Sequence, residues 1–265
     1  MTHTPFLVMG DDGSDQADRA WRWVDAQDWD GWRVDVITAD DDPAKIPTTP
    51  ELAAARPWLP PTPRTPADPT RLGGGVQHLV AIGDPRLVLL GFPDAELLVI
   101  GARGAGRMPV TLGSTADSLL HGPPCPLVIA RDDRPVRRVL VGADGSADAE
   151  AAAARFARLP WAARTRVQVL SVADGRTDPV ASSSAMVALL SEAGLVTEVV
   201  PTSRGREDPR SALVEAARSV DLVVMGTRGV GVGLVRRFLG GSVATHLAHH
   251  APCSVLIAEA DRRRA

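Results

Sequence analysis

Along the chain, short runs that are apolar throughout alternate with longer stretches whose apolar positions recur every three or four residues. Runs of the first kind suit strands buried on both faces, and the periodic stretches suit helices. The second half is regular. Val139–Val141 predicts a strand, Asp144-Gly145-Ser146 a turn with Ser146 as N-cap, and Ala147–Arg158 a helix with Asp148 and Glu150 at its positive end. Strands follow at Val167–Val172, Val196–Val200, Leu222–Met225 and Ser254–Ala258. Helices are expected at Ser182–Glu192, Arg210–Ser219 and Ser242–His249. Apolar strands separated by helices predict an α/β fold with a parallel sheet covered on both faces.

The first half repeats this pattern less regularly. Pro5–Ala20 matches Arg138–Ala153 through a shared Gly-x-Asp-Gly-Ser, so Asp12 corresponds to Asp144 and Ser14 to Ser146. Leu97–Gly106 matches Leu222–Gly231, and Leu112–Ala130 matches Gly240–Ala258 with the cysteines in register. Three blocks in the same order mark a duplicated domain. The boundary is expected near Asp132–Pro135, giving domains 1–133 and 134–265. Pro43–Pro69 holds nine of the 22 prolines and has no helical period. Proline fixes φ and removes a donor, so a surface loop is expected where the second half has a helix. Arg86–Phe92 is shorter than its counterpart, and the first domain reads as the degenerate copy.

Composition excludes several classes. Of 265 residues, 45% are hydrophobic and 23% charged, which is ordinary for a globular chain and not for a disordered one. No apolar run approaches a membrane span and no basic-then-apolar leader is visible. Two cysteines are too few for a disulfide framework, so a cytoplasmic location is expected. The net charge of −3 divides unevenly. Residues 1–133 carry 11 basic and 19 acidic side chains, and residues 134–265 carry 18 and 13. That excess is far from nucleic-acid-binding basicity; it suits docking of the halves, or an anionic ligand in the second.

The candidate chemistry lies at the ends of strands. Leu222–Met225 runs into Gly226-Thr-Arg-Gly229, a glycine-rich loop, and Gly241-Ser242 opening a helix. In an open parallel sheet, ligands bind beyond the carboxyl ends of the strands. Glycines there let backbone N–H groups approach phosphate oxygens, and the helix start adds the positive end of its dipole. Asp144 ends the first strand beside the same crevice, where a carboxylate suits a base or ribose hydroxyl. The bland alternative is that the glycines only permit tight strand-to-helix turns.

These motifs resemble the universal stress protein family, specifically its tandem two-domain members. The resemblance rests on Asp-Gly-Ser after the first strand, Asp-Leu-Val-Val-Met-Gly-Thr-Arg-Gly at the fourth, and Gly-Ser-Val-Ala before the last helix. It implies two Rossmann-like domains of the adenine nucleotide alpha hydrolase-like type, each with a five-stranded parallel sheet, paired within one chain as a pseudo-dimer across their last strands. It implies a stress-response regulator that binds ATP, with Mg2+, in some members and no nucleotide in others. It nominates Asp144 and Val172 toward adenosine, and Gly226, Gly229, Gly241, Ser242 and Val243 toward ribose and phosphates. The weaker first-domain set is Asp12, Ala39, Gly101, Gly104, Gly113, Ser114 and Thr115.

Both copies depart from the family's Gly-x2-Gly-x9-Gly-[Ser/Thr]. Eleven residues separate Gly229 from Gly241, and eight separate Gly104 from Gly113. An insertion can bulge outward, whereas a deletion must still span the same gap, and Pro109 stiffens it. ATP is therefore expected in the second domain. The alternatives are a scaffold of the same fold without nucleotide, and a slow ATPase or autophosphorylating protein with Ser242 as acceptor. A protein partner is implied, and further homodimerisation is left open.

Other residues carry less. His246 and His250 stand at i, i+4 with His249 beside them, a spacing that can present two zinc ligands, but no third ligand is evident and no metal is expected. Cys125 and Cys253 each follow a proline and read as small hydrophobes. Trp21, Trp23, Trp29 and Trp32 suit core or inter-domain packing more than a binding platform. Arg103 and Arg228 suit phosphates or salt bridges equally. No nucleophile–base pair, P-loop or zinc-protease motif occurs.

Overall fold

The computed structural model describes residues 4–40, 63–103, 112–173, 178–200, 208–227 and 243–260. The chain divides into two compact units, Met1–Asp133 and Arg134–Ala265.

In the first unit, β1 (Phe6–Gly10) leads through the Asp-Gly-Ser turn into α1 (Asp15–Asp25), followed by β2 (Arg33–Asp40) and β3 (Val76–Ile82). Then come α2 (Pro85–Leu90), β4 (Leu97–Gly101), α3 (Ser114–Leu120) and β5 (Leu127–Ala130). The strand order is β3-β2-β1-β4-β5. All neighbours are parallel, with Leu7 registered on both Val34 and Leu97. Leu7, Val8, Leu97, Leu98 and Val99 are fully buried, as a sheet covered on both faces requires.

The second unit repeats the plan. It comprises β6 (Arg138–Gly142), α4 (Ala147–Ala157), β7 (Arg166–Leu170), α5 (Pro179–Glu192), β8 (Val196–Val199), α6 (Pro209–Ala216), β9 (Leu222–Gly226), α7 (Val243–His250) and β10 (Ser254–Ala258). Its order is β8-β7-β6-β9-β10, again parallel throughout. Each unit is thus an α/β layer structure of the Rossmann-like class.

The ends of the elements follow local chemistry. Ser14 and Ser146 cap α1 and α4 by accepting the N–H groups of Ala17 and Ala149, each at 3.2 Å. The helix expected from Ser182 begins at Pro179 instead. Asp178 accepts the N–H groups of Val180 and Ala181, and Pro179 fills the first turn, where its missing donor costs nothing. The helix expected over Arg210–Ser219 tightens into a 3-10 turn at Ala217–Ser219.

The units differ where the proline-rich stretch lies. Its residues 43–62 fall outside the described ones. From residue 63 onward the chain runs without a regular element until the short 3-10 turn Pro69–Arg71. It is tied to α1 and the turn after it: Ala67 N–H donates to Asp25, and Trp29 N–H to the Arg71 carbonyl. The four tryptophans are core. Trp23 and Trp29 are fully buried with centroids 6.4 Å apart, and Trp32 lies 5.5 Å from Trp29.

Candidate functional site

Two neighbouring strands set the site in each unit. In the second, β6 ends at Gly142 and β9 at Gly226, and the two pair through Val141 and Val224. From β6 the chain proceeds to β7 on one side, and from β9 to β10 on the other, so the crevice between them is the topological switch point. Asp144 therefore stands just beyond the carboxyl end of one strand and Gly226 at the carboxyl end of its neighbour. Asp12 and Gly101 hold the same places in the first unit, after β1 and in β4.

The turn that presents the aspartate is the same in both copies. Gly13 and Gly145 adopt φ of +71° and +75°, a conformation that favours glycine over any residue with a Cβ. The turn brings Ser14 N–H to Asp12 at 3.1 Å and Ser146 N–H to Asp144 at 3.0 Å. These bonds fix each carboxylate at the start of a helix. Asp12 is exposed and Asp144 half-buried. Val172, just past β7, is buried at the same end of the sheet, whereas Ala39, its counterpart on β2, is half-buried. Val243 is the first residue of α7.

The first motif glycine has a packing reason in both units. A Cβ on Gly226 would lie 2.5 Å from the Ala149 amide nitrogen and 2.6 Å from the Asp148 carbonyl carbon. A Cβ on Gly101 would lie 2.7 Å from the Gln16 carbonyl oxygen. In each case the first turn of a helix rests directly on the strand end, and only hydrogen fits between. Sequence reasoning assigns these glycines to the ligand; the neighbouring helix is sufficient to require them.

Asp148 was not among the residues nominated from sequence. Its carboxylate is 4% exposed and accepts Thr227 Oγ–H at 2.9 Å and Ala260 N–H at 3.0 Å. It ties the start of α4 to the exits of β9 and β10. Thr227 is the residue after Gly226, so this buried acid sets where the glycine-rich segment departs. The sequence signal was an acid in the first turn of a helix, which reads as a dipole partner.

In the first unit, Gly113 caps α3 and donates its N–H to the Ala102 carbonyl at 2.8 Å. The two described ends of the shortened loop are thereby joined to each other. That donor is committed within the chain. Ser114 is exposed and Thr115 half-buried on α3.

A second difference concerns Asp11, which stands where the other unit has Ala143. Asp11 is 4% exposed and binds Arg64 through two parallel bonds, Nε to Oδ2 at 2.7 Å and Nη2 to Oδ1 at 2.9 Å. Arg64 also donates to Asp18 on α1. Hydrogen bonds to Asp11, and then to Asp18, hold the guanidinium pKa above its ordinary value against the opposing effect of burial. A cation from the proline-rich stretch is thus locked beside the Asp-Gly-Ser turn of the first unit.

Of the nominated residues, Asp144, Val172, Gly226 and Val243 are brought to the carboxyl end of one sheet, and Asp12, Ala39, Gly101, Gly113, Ser114 and Thr115 to that of the other. Gly104, Gly229, Gly241, Ser242 and Arg228 lie outside the described residues.

Comparison with known proteins places these features in a family. The model of the universal stress protein family matches residues 7–131 and again 135–259. Two universal stress proteins of Mycobacterium tuberculosis, Rv2623 of strain H37Rv and MT2698 of strain CDC 1551, are each 44% identical over 68 residues. The match spans 23% of this chain and 23% of theirs. A universal stress protein from Archaeoglobus fulgidus aligns over 97% of this chain and 99% of its own, with TM-score 0.72 and 18% identity. The protein PA1789 of Pseudomonas aeruginosa, of unknown function, aligns over 96% of this chain and 92% of its own, with TM-score 0.56 and 14% identity. Among the described residues no helix is long and apolar enough to cross a membrane.

Proposed function

The chain belongs to the universal stress protein family, carrying two of its domains in tandem, and on that premise we propose that the second domain binds ATP and signals through conformation or partner binding. One observation carries this reading. Asp144 holds a half-buried carboxylate at the switch point, oriented through one oxygen by Ser146 N–H. Its other oxygen has no partner among the described residues, so it can accept a ribose or base donor.

The residues present fit an adenosine. Asp144 would take its hydroxyl or amino donors, and Val172 offers an apolar wall. Gly229, Gly241, Ser242 and Val243 would face ribose and phosphates. ATP would bring its own Mg2+ and supply charge to be recognised. The reading calls for no turnover. The first domain is the weaker candidate, because its Gly113 donor is used by Ala102 and Arg64 stands against its turn. A reducing cytoplasm suits Cys125 and Cys253, which form no disulfide with each other.

Calorimetric titration of the full chain with Mg-ATP tests the reading. The expected stoichiometry is one site, lost in Asp144→Ala while the unfolding temperature without ligand stays within a few degrees. Two sites, or none, would overturn it. A scaffold without nucleotide is the second reading. It is favoured by the packing of Gly226 and Gly101 against helices, which accounts for both glycines without a ligand.

A further inference from the structure

β3 closes one end of the first unit's strand order and β8 one end of the second's, and the two edges are built differently. Edge strands that stay single are ordinarily short, charged, bulged or broken by proline. β8 has 4 residues and carries Glu198. β3 has 7 residues, Val76–Ile82, with no acid, lysine, arginine or proline among them. Its Leu79, Val80 and Ile82 are 44%, 51% and 57% exposed. The first unit thus leaves open an edge of the kind that recruits another strand.

The ladder fixes which groups of β3 are spare. Val34 N–H donates to the Gly75 carbonyl, and Val34 registers on Val76. In a parallel pair alternate residues bond a given neighbour, so Gly75, Gln77, Leu79 and Ala81 turn their amide groups to β2. Val76, His78, Val80 and Ile82 turn theirs outward, where no strand stands among the described residues. Antiparallel pairing of β3 with its own copy uses all four. A twofold axis at Leu79 sets Val76 opposite Ile82 and His78 opposite Val80, the pairs that exchange both bonds. Gln77 falls opposite Ala81 and Gly75 opposite Gly83, so glycine stands at both ends, where the chains turn away. No charge meets a like charge. β8 fails the same operation. Val200 N–H donates to the Val169 carbonyl, so Thr197 and Val199 face outward. The register that uses both sets Glu198 against Glu198 of the second copy, a destabilising pair.

We propose that the chain forms a twofold homodimer by antiparallel pairing of β3 with β3 of a second copy. Side chains alternate between the faces of a strand. Val76, Val80 and Ile82 of both copies therefore form an apolar stripe on one face, and Leu79 meets Leu79 on the other. Main-chain bonds at the open edge hold the two strands, and burial of the exposed apolar groups adds to them. His78 already bonds the Arg64 carbonyl through Nε2 at 3.1 Å, so its ring is engaged within its own unit. Nothing in the pairing depends on nucleotide in the second unit.

The test is sedimentation velocity of the full chain over about a hundredfold range of concentration around 10 μM. A monomer–dimer equilibrium is expected. Leu79→Lys sets two cations face to face and should weaken association at least about tenfold. Val80→Pro removes an outward N–H that β2 does not use, and should weaken it likewise. Both positions are exposed, so the unfolding temperature of each variant in dilute solution should stay within a few degrees of wild type. Leu79→Cys places two thiols across a non-hydrogen-bonded pair, with Cα atoms about 4.5 Å apart and within disulfide reach. Mild oxidation should link the copies in that variant, and not in wild type or in Val196→Cys on β8. A chain that stays monomeric throughout, with Leu79→Cys unlinked, would overturn the proposal and leave this edge to a strand of a different protein. A dimer untouched by Leu79→Lys and Val80→Pro would overturn it as well, by placing the contact elsewhere.

Discussion

Arg64 and Asp11 form a bidentate ion pair between residues 53 positions apart, one in the proline-rich stretch and the other at the end of the first strand. With Asp11 almost fully buried, removing the cation leaves a buried charge held, among the described residues, by the Gly13 N–H on Oδ1 alone. Arg64→Met should therefore destabilise the chain by about 3–5 kcal/mol. The double variant Asp11→Ala, Arg64→Met should recover most of that loss, since replacing both partners of a buried pair by apolar groups is often neutral. Urea unfolding of wild type, both single variants and the double variant gives the coupling directly. Equal losses in the single and double variants would show that Arg64 acts through packing alone.

Asp148 invites a parallel experiment in the second unit. It accepts one hydroxyl and one backbone N–H from two different strand exits. Asp148→Ala leaves both half-buried donors without this acceptor and should cost roughly 1–3 kcal/mol. Thr227→Val removes one donor together with its need for a partner, and should cost about 1 kcal/mol. Chemical denaturation ranks the two. A larger loss for Thr227→Val than for Asp148→Ala would mean that the carboxylate does not organise this corner.

Gly226 and Gly101 make a second matched pair. A methyl group at either position meets backbone atoms, which cannot rotate away as a side chain can. Gly226→Ala and Gly101→Ala should each cost about 3 kcal/mol through displacement of the helix start. Gly122→Ala is the control, because a Cβ there meets nothing within 4 Å. It should change stability by no more than about 0.5 kcal/mol. Thermal unfolding in the absence of ligand separates packing from binding. If Gly226→Ala unfolds like wild type yet loses Mg-ATP, the glycine serves the ligand instead.

These relationships differ in how far they could be read from the sequence. The Asp-Gly-Ser turns were legible because the cap, the positive-φ glycine and the acid are adjacent in the chain, and the chain holds two copies. The parallel sheet was legible because strands buried on both faces leave uninterrupted apolar runs. The start of α5 was placed at Ser182, although Asp178-Pro179 already carried a stronger signal through its cap and first-turn proline. No element was assigned to Val76–Ile82; β3 lies at the outer end of its unit's strand order with Leu79, Val80 and Ile82 exposed, so burial imposes no pattern there. Arg64 was illegible because its partners come from distant segments and its own stretch has no period. The role of Asp148 and the helix packing against Gly101 and Gly226 were illegible for a related reason. Their neighbours are helix turns and strand exits that meet only in the folded unit.

His246 gives the last prediction, for the protein without ligand. Burial first, with His250 and Arg210 next, sets its folded pKa below the unfolded value near 6.5. The unfolded chain therefore binds more protons as pH falls past that value. Stability follows the difference in bound protons, so the contribution of neutral His246 is fully present above about pH 6.5 and is lost as pH falls through the folded pKa. Urea midpoints measured from pH 8 to 5 in a chloride buffer free of phosphate should decline, and His246→Gln should decline less steeply over the same range. A wild-type curve that coincides with the His246→Gln curve would place the acid sensitivity on other groups.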